Sequence, residues 1–167
     1  AVVIATRDGK LFTAGDIDYR GVENLDIDAA EGDSTLTVRG TNDNDTLSIQ
    51  PDPLGQVTIN DGTVVTFNSS NDNYSNLDVH GRFGDDAFSI TPIAGVDITA
   101  QGMDPTASDS AVVDGTAGTD AIEFRPTADD AATVQVNALG LVTLLTIESV
   151  LIDGRGGDDA LTVTTPS

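Results

Sequence analysis

Apolar and polar residues alternate along most of this chain, in short runs separated by Gly, Asp and Asn. Leu25 and Ile27 are followed by Leu36 and Val38, Leu77 and Val79 by Phe88 and Ile90, and Val150 and Ile152 by Leu161 and Val163. Successive side chains of a strand point to opposite faces, so a period of two predicts strands with one buried face. No stretch carries the 3.6-residue period of an amphipathic helix. The pattern predicts an all-β protein.

The strands recur as repeats. Val22 to Val38, Tyr74 to Ile90 and Ile147 to Val163 align without gaps over 17 residues. Each reads as a strand, a Gly/Asp loop and a second strand, with the two strand starts 11 residues apart. A second motif occurs twice, GTNDNDTLSIQP from Gly40 and GTAGTDAIEFRP from Gly115. Each copy is followed by a V-x-[IV]-N strand, ending at Asn60 and Asn137, and then by another apolar strand, Val64 to Phe67 and Leu141 to Leu145. The domain plan is a lead-in strand or cap over 1–21 and a repeat domain over 22–167. The repeat domain holds a half-repeat 22–38, a repeat 40–90, an insert 91–114 with one strand at Val96 to Ala100, and a repeat 115–163.

Two architectures accommodate this plan. A right-handed parallel β-helix, or β-solenoid, stacks equivalent strands coil on coil, and recurring corners are what stacking needs. An antiparallel β-sandwich is the alternative, favoured locally by Asn60-Asp61-Gly62, a hairpin turn signal. The solenoid is the main expectation.

Composition narrows the chemistry. In 167 residues, 28 acidic side chains face 7 basic ones, for a net charge of −21. Such a chain repels phosphate backbones, so nucleic acid is not an expected partner. No apolar run approaches a membrane span, so no membrane insertion is expected. There is no Cys, and His80 is the only His, which excludes disulfides, thiol nucleophiles and His-rich metal sites. An Asp-rich, Lys-poor composition also suits a saline habitat, where carboxylates stay hydrated and screened.

The loops share one grammar. GRFGDDAF from Gly81 and GRGGDDAL from Gly154 read G-x-x-G-D-D-x-Φ, where Φ is apolar. GTAGTDAI from Gly115 keeps the second Asp, and GTNDNDTL from Gly40 keeps the first Gly, that Asp and the apolar residue. These loops resemble the haemolysin-type calcium-binding nonapeptides, G-G-x-G-x-D-x-Φ-x, of RTX proteins in large secreted or cell-surface bacterial proteins. The resemblance implies a calcium ion held by carbonyl and carboxylate oxygens, the ligand set calcium prefers. Carried over residue by residue, the metal-facing acids are Asp45, Asp86, Asp120 and Asp159, with Asp43, Asp85 and Asp158 beside them. The chain departs from the motif at its second glycine, replaced by Arg82, Arg155, Thr41 and Thr116, and the earliest loop has Ser34 in place of the Asp. A Gly/Asp corner that only turns the chain fits the same residues, because Asp favours turns in its own right.

The adjacent pairs Asp85-Asp86 and Asp158-Asp159 recur at equivalent corners, which suits architecture better than a single catalytic site, so no enzyme is expected. Tyr74, Val22 and Ile147 are equivalent and expected in the core. His80 alternates with Val79 and is expected on the surface, as is Phe83. The stop after Val163 is expected to leave a coil end open, covered by end-to-end self-association or by neighbouring repeats of the same chain. The functional expectation is a calcium-stabilised structural module of a secreted or cell-surface protein, in adhesion, a surface layer or a filament. The alternatives are a β-solenoid module binding an extracellular glycan or ice and, behind it, a polysaccharide lyase-like β-helix.

Overall fold

In the computed structural model the chain is described over residues 2–7, 10–11, 17–18, 24–27, 34–51, 55–67, 74–104 and 108–165. The loop that joins the two strands of the 22–38 half-repeat lies outside these residues, as does Val22. The described residues form seventeen strands and no helix. In chain order they are β1 (Val2–Arg7), β2 (Lys10–Leu11), β3 (Ile17–Asp18), β4 (Asn24–Ile27), β5 (Ser34–Arg39), β6 (Thr46–Gln50), β7 (Gly55–Ile59), β8 (Thr63–Phe67) and β9 (Asn76–His80). There follow β10 (Ala87–Ile90), β11 (Asp97–Gln101), β12 (Ser110–Asp114), β13 (Ala121–Ala128), β14 (Ala131–Val136), β15 (Val142–Leu145), β16 (Ser149–Asp153) and β17 (Ala160–Val163).

These strands form two mixed sheets and no closed barrel. The first runs β17-β13-β14-β15-β11-β9-β5-β1-β2, with β3 also on β1; the second runs β16-β12-β10-β6-β7-β8-β4. From β4 onward the chain passes from one sheet to the other: β4 in the second, β5 in the first, β6 to β8 in the second, then singly through β9, β10, β11 and β12. It then lays β13 to β15 in the first sheet, β16 in the second and β17 in the first.

Pairing between passes is parallel and in register. In the second sheet Leu47, Phe88, Ala111 and Val150 stand side by side, as do Ile49, Ile90, Val113 and Ile152. In the first, Leu36, Leu77, Ile98 and Val142 form one row, and Val38, Val79, Ala100 and Leu144 the next. The buried members of these rows belong to one core cluster shared by both sheets. Burying each large aliphatic side chain favours folding by roughly 1.5–3 kcal/mol. A one-residue slip would turn every such row to solvent, which is why the alternation specifies the register.

Pairing inside each long repeat is antiparallel: β6-β7-β8 in one copy and β13-β14-β15 in the other. Parallel pairing between passes and antiparallel pairing within each long repeat thus coexist in two mixed sheets. Asn60 and Asp61 take left-handed φ of 52° in the β7–β8 turn, and Asn137 does so at 50° after β14. The segment 91–114 is more than an insert with one strand, because it adds β11 to the first sheet and β12 to the second. Counting β12 beyond the single strand expected there makes the crossings from β6 to β13 five rather than four. Equivalent hairpins therefore lie in opposite sheets.

Candidate functional site

The corners that lead from the first sheet into the second stack through their acids. The backbone N–H of Asp45 donates to Asp86 Oδ1 at 2.7 Å, that of Asp86 to Asp109 Oδ1 at 2.8 Å, and that of Asp109 to Glu148 Oε2 at 2.7 Å. The reverse corners form a shorter ladder, in which Asp120 N–H donates to Asp159 Oδ1 at 3.0 Å. The carbonyls of Asp45, Asp86 and Asp120 also accept the N–H groups of Ala87, Ser110 and Ala160. Each acid precedes a strand and fixes the spacing to the next pass.

The glycine that opens each corner has a steric reason. A Cβ at Gly40, Gly81, Gly102, Gly115 or Gly154 would lie less than 3.0 Å from the carboxylate of Asp45, Asp86, Asp109, Asp120 or Asp159 respectively. The carboxylate folds back over its own glycine. The G-x-x-x-x-D spacing thus describes a corner closed by its acid.

Asp45 and Asp120 are the most fully satisfied. Thr41 N–H donates to Asp45 Oδ2 at 2.5 Å, the Thr41 hydroxyl lies 3.1 Å from both oxygens, and Asn60 Nδ2 donates to Oδ1 at 2.5 Å. Asn60 Oδ1 in turn accepts Thr46 N–H at 2.8 Å. Asp120 repeats this with Thr116 N–H at 2.6 Å, the Thr116 hydroxyl at 2.9 Å and Asn137 Nδ2 at 2.5 Å, while Asn137 Oδ1 accepts Ala121 N–H at 2.9 Å. Burial alone would push the Asp120 carboxyl up, but these Thr116 and Asn137 donors hold it below the ordinary value.

Asp86 and Asp109 differ. Both are buried, at 1% and 0% exposure, and the Oδ2 of each has no hydrogen-bond partner among the described residues. Burial pushes the Asp86 carboxyl up to about 6 against the pull of Asp45 N–H, helped by the charges of Asp109, Asp45 and Asp85. Burial likewise raises Asp109, opposed by Asp86 N–H and reinforced by Glu148, Asp85 and Asp104.

Comparison with protein-family models, curated proteins and solved structures found no match. The likeness of these loops to haemolysin-type repeats therefore rests on the loops themselves. Calcium takes six to eight oxygens around one point. Among the described residues no group of three or more Asp, Glu or His side chains converges in that way. The oxygens of Asp45 and Asp120 are engaged by N–H and O–H donors. Asp43, Asp85, Asp158 and Asp159 are exposed; Asp85 accepts Ser108 N–H at 3.0 Å, and Asp43 N–H donates to the Thr41 hydroxyl at 3.1 Å. Among the described residues, the buried carboxylate oxygens without a hydrogen-bond donor are Asp86 Oδ2 and Asp109 Oδ2.

Asp109, Glu148, Thr41, Thr116, Asn60 and Asn137 belong to the ladders beyond the acids anticipated from sequence. The recurrence of Thr after the first glycine and of Asn after V-x-[IV] was the available signal for the last four. Asp109 follows its glycine by seven residues rather than five, which hid it.

Proposed function

We propose that this chain is a non-enzymatic structural module, a right-handed β-solenoid segment of a secreted or cell-surface protein. In this reading its acidic corners serve as hydrogen-bonded stacking joints. The observation that supports it best is the run of backbone-to-carboxylate bonds from Asp45 through Asp86 and Asp109 to Glu148, which spends the conspicuous acids on joining one pass to the next. Parallel crossovers in one sheet are right-handed as a rule. The face that would continue the stack is apolar: Leu161 and Val163, in register with Ile122 and Phe124, are 54% and 55% exposed on β17, an end strand of its sheet. A further coil of the same repeat type, from this chain or a second copy, is the occupant that fits an unpaired edge beside an apolar row. Sedimentation of the 167-residue chain at high concentration tests this. Association abolished by Leu161→Asp supports it, and a strictly monomeric species contradicts it.

A calcium-stabilised form of the module is favoured by the two free, buried oxygens of Asp86 and Asp109. A cation there would offset the burial and, after it, the crowding of like charge that raise both carboxyls. Saturating such a site a hundredfold above Kd stabilises the fold by about 2.7 kcal/mol, or roughly 5–10 °C in melting temperature. That increment must survive high NaCl and disappear in Asp86→Asn. An increment lost to NaCl alone is screening, and calcium then has no site here.

A further inference from the structure

One corner carries charge of the wrong sign for its surroundings. In the corner after β16, Asp114 and Asp153 stand in register, and Arg155 follows two residues later with φ of 62°. Its guanidinium pairs with the Asp114 carboxylate, and its N–H donates to Asp153 Oδ1 at 2.8 Å. The equivalent corner after β9 keeps the backbone and changes the chemistry. Arg82, with φ of 94°, takes the place of Arg155; Arg39 and His80, also in register, take the places of Asp114 and Asp153. Both the sequence repeats and the strand register give this equivalence.

The result is a cationic cavity of about 330 Å³ on a chain of net charge −21, lined by Arg39, His80, Arg82, Phe83 and Met103. The side chains of Arg39, Arg82, Arg125 and Arg155 are described. Arg125 pairs with Glu123 and Arg155 with Asp114, while Arg39 and Arg82 have no ion pair or side-chain hydrogen bond among the described residues. Burial lowers the His80 pKa, Arg39 adds to this, and Asp78 opposes it. His80 also lies 3.3 Å from Gln101 Nε2, the next polar group along this row. Beside the guanidiniums stand two exposed apolar side chains, Phe83 at 58% and Met103 at 47%.

We propose that this cavity binds a carboxylated sugar residue of an acidic glycan. The sugar carboxylate bridges Arg39 and Arg82, supplying the anion that Asp114 supplies to Arg155 in the other corner, since guanidinium forks match carboxylates in geometry as well as charge. The apolar face of the ring lies on Phe83 with Met103 as the second wall, and His80 and Gln101 face the hydroxyls. The volume is at the small end of ligand pockets, roughly 300–1,000 Å³, which suits one or two rings. A densely charged polymer such as nucleic acid is opposed by the rest of the surface, whereas a sugar with one charge per ring engages the patch locally. This proposal does not depend on the structural reading of the ladders.

The test is amide NMR titration of the whole chain with digalacturonate at physiological salt. Neutral galactobiose, sodium acetate and sodium sulfate are the comparison arms. Digalacturonate is expected to shift the amides of Gly81 to Gly84 and Met103 and to bind at least tenfold tighter than the other three. Arg82→Gln and Phe83→Ala are each expected to weaken it about tenfold or more, the effect of losing a charged hydrogen bond or an aromatic contact. Arg125→Gln, away from the cavity, should leave it unchanged, with melting temperatures confirming that every variant folds. No binding by digalacturonate, or binding that Arg82→Gln and Phe83→Ala do not alter, overturns the proposal. Equal affinity for acetate or sulfate overturns the sugar assignment, leaving an anion site alone.

Discussion

Asp86 and Asp120 occupy the same place in the loop motif, each five residues after a glycine and two before an apolar residue, yet their environments oppose each other. Asp120 lies in a corner that carries its own donors, Thr116 and, through the hairpin, Asn137, and its carboxyl is held low. Asp86 lies where the motif has Arg82 instead of Thr and where no hairpin Asn reaches it, and its carboxyl rises to about 6 with one oxygen unpartnered. A recurring acid is therefore not a recurring function. Donors supplied by neighbouring residues decide whether every carboxylate oxygen in a corner is satisfied.

The comparison breaks most visibly if the finished joints contribute nothing. Asp45, the counterpart of Asp120 in the other long repeat, accepts bonds from Thr41 and Asn60. Asp45→Ala should cost about 2–4 kcal/mol, since it strands several donors at once, and lower the melting temperature by roughly 5–15 °C. Thermal denaturation in chelator would show it; a loss below about 0.5 kcal/mol, typical of neutral surface changes, would deny the joint.

The motif glycines give a finer contrast. Gly115→Ala puts a Cβ less than 3.0 Å from the Asp120 carboxylate, whereas at Gly118 the nearest atom is 3.7 Å away. Gly115→Ala should destabilise by about 1–3 kcal/mol, the usual cost of overpacking, and Gly118→Ala should lie close to neutral. Denaturant midpoints would separate them, and equal values would mean that the glycine does not make room for the acid.

The smallest effect is a reversal of sign with pH. Because folding raises the Asp86 pKa from 3.8 to about 6, the native chain keeps a proton that the unfolded chain has released in this window. The Asp86 contribution is therefore favourable at low pH and is lost as pH rises from about 4 to 6. Asp120 has a lowered pKa, so its contribution is present above the ordinary carboxylate value and lost as pH falls below that value through its lowered folded pKa. At pH 7 Asp86→Asn should be neutral or mildly stabilising, since Asn keeps an acceptor for Asp45 N–H, while Asp120→Asn should destabilise. Matched denaturation curves in chelator would show whether the signs differ.

Much of the strand plan was legible. The runs ending at Asn60 and Asn137 became β7 and β14, and Tyr74 and Ile147 are buried as the aligned segments required. Sheet membership was not legible, because it depends on counting crossings in space, and the 91–114 segment hid one in β12, whose acid Asp109 sits at a different spacing from its glycine. The candidate acids were found, but their state was not. Whether a carboxylate is satisfied depends on Asn60 and Asn137, 15 and 17 residues downstream, and on acids 23 to 41 residues away in the next pass. His80 alternates as a surface residue should, yet it is half-buried beside Arg39, and only the pairing of β5 with β9 brings them together.

The central claim is that corner acids of identical motif are set apart by their donors. Carbon-detected NMR titration of the side-chain carboxyls of Asp86 and Asp120, in the chelator-treated protein, measures this directly. The account predicts that Asp86 titrates near 6 and Asp120 below the ordinary 3.8. Two carboxyls titrating together near the ordinary value would contradict it.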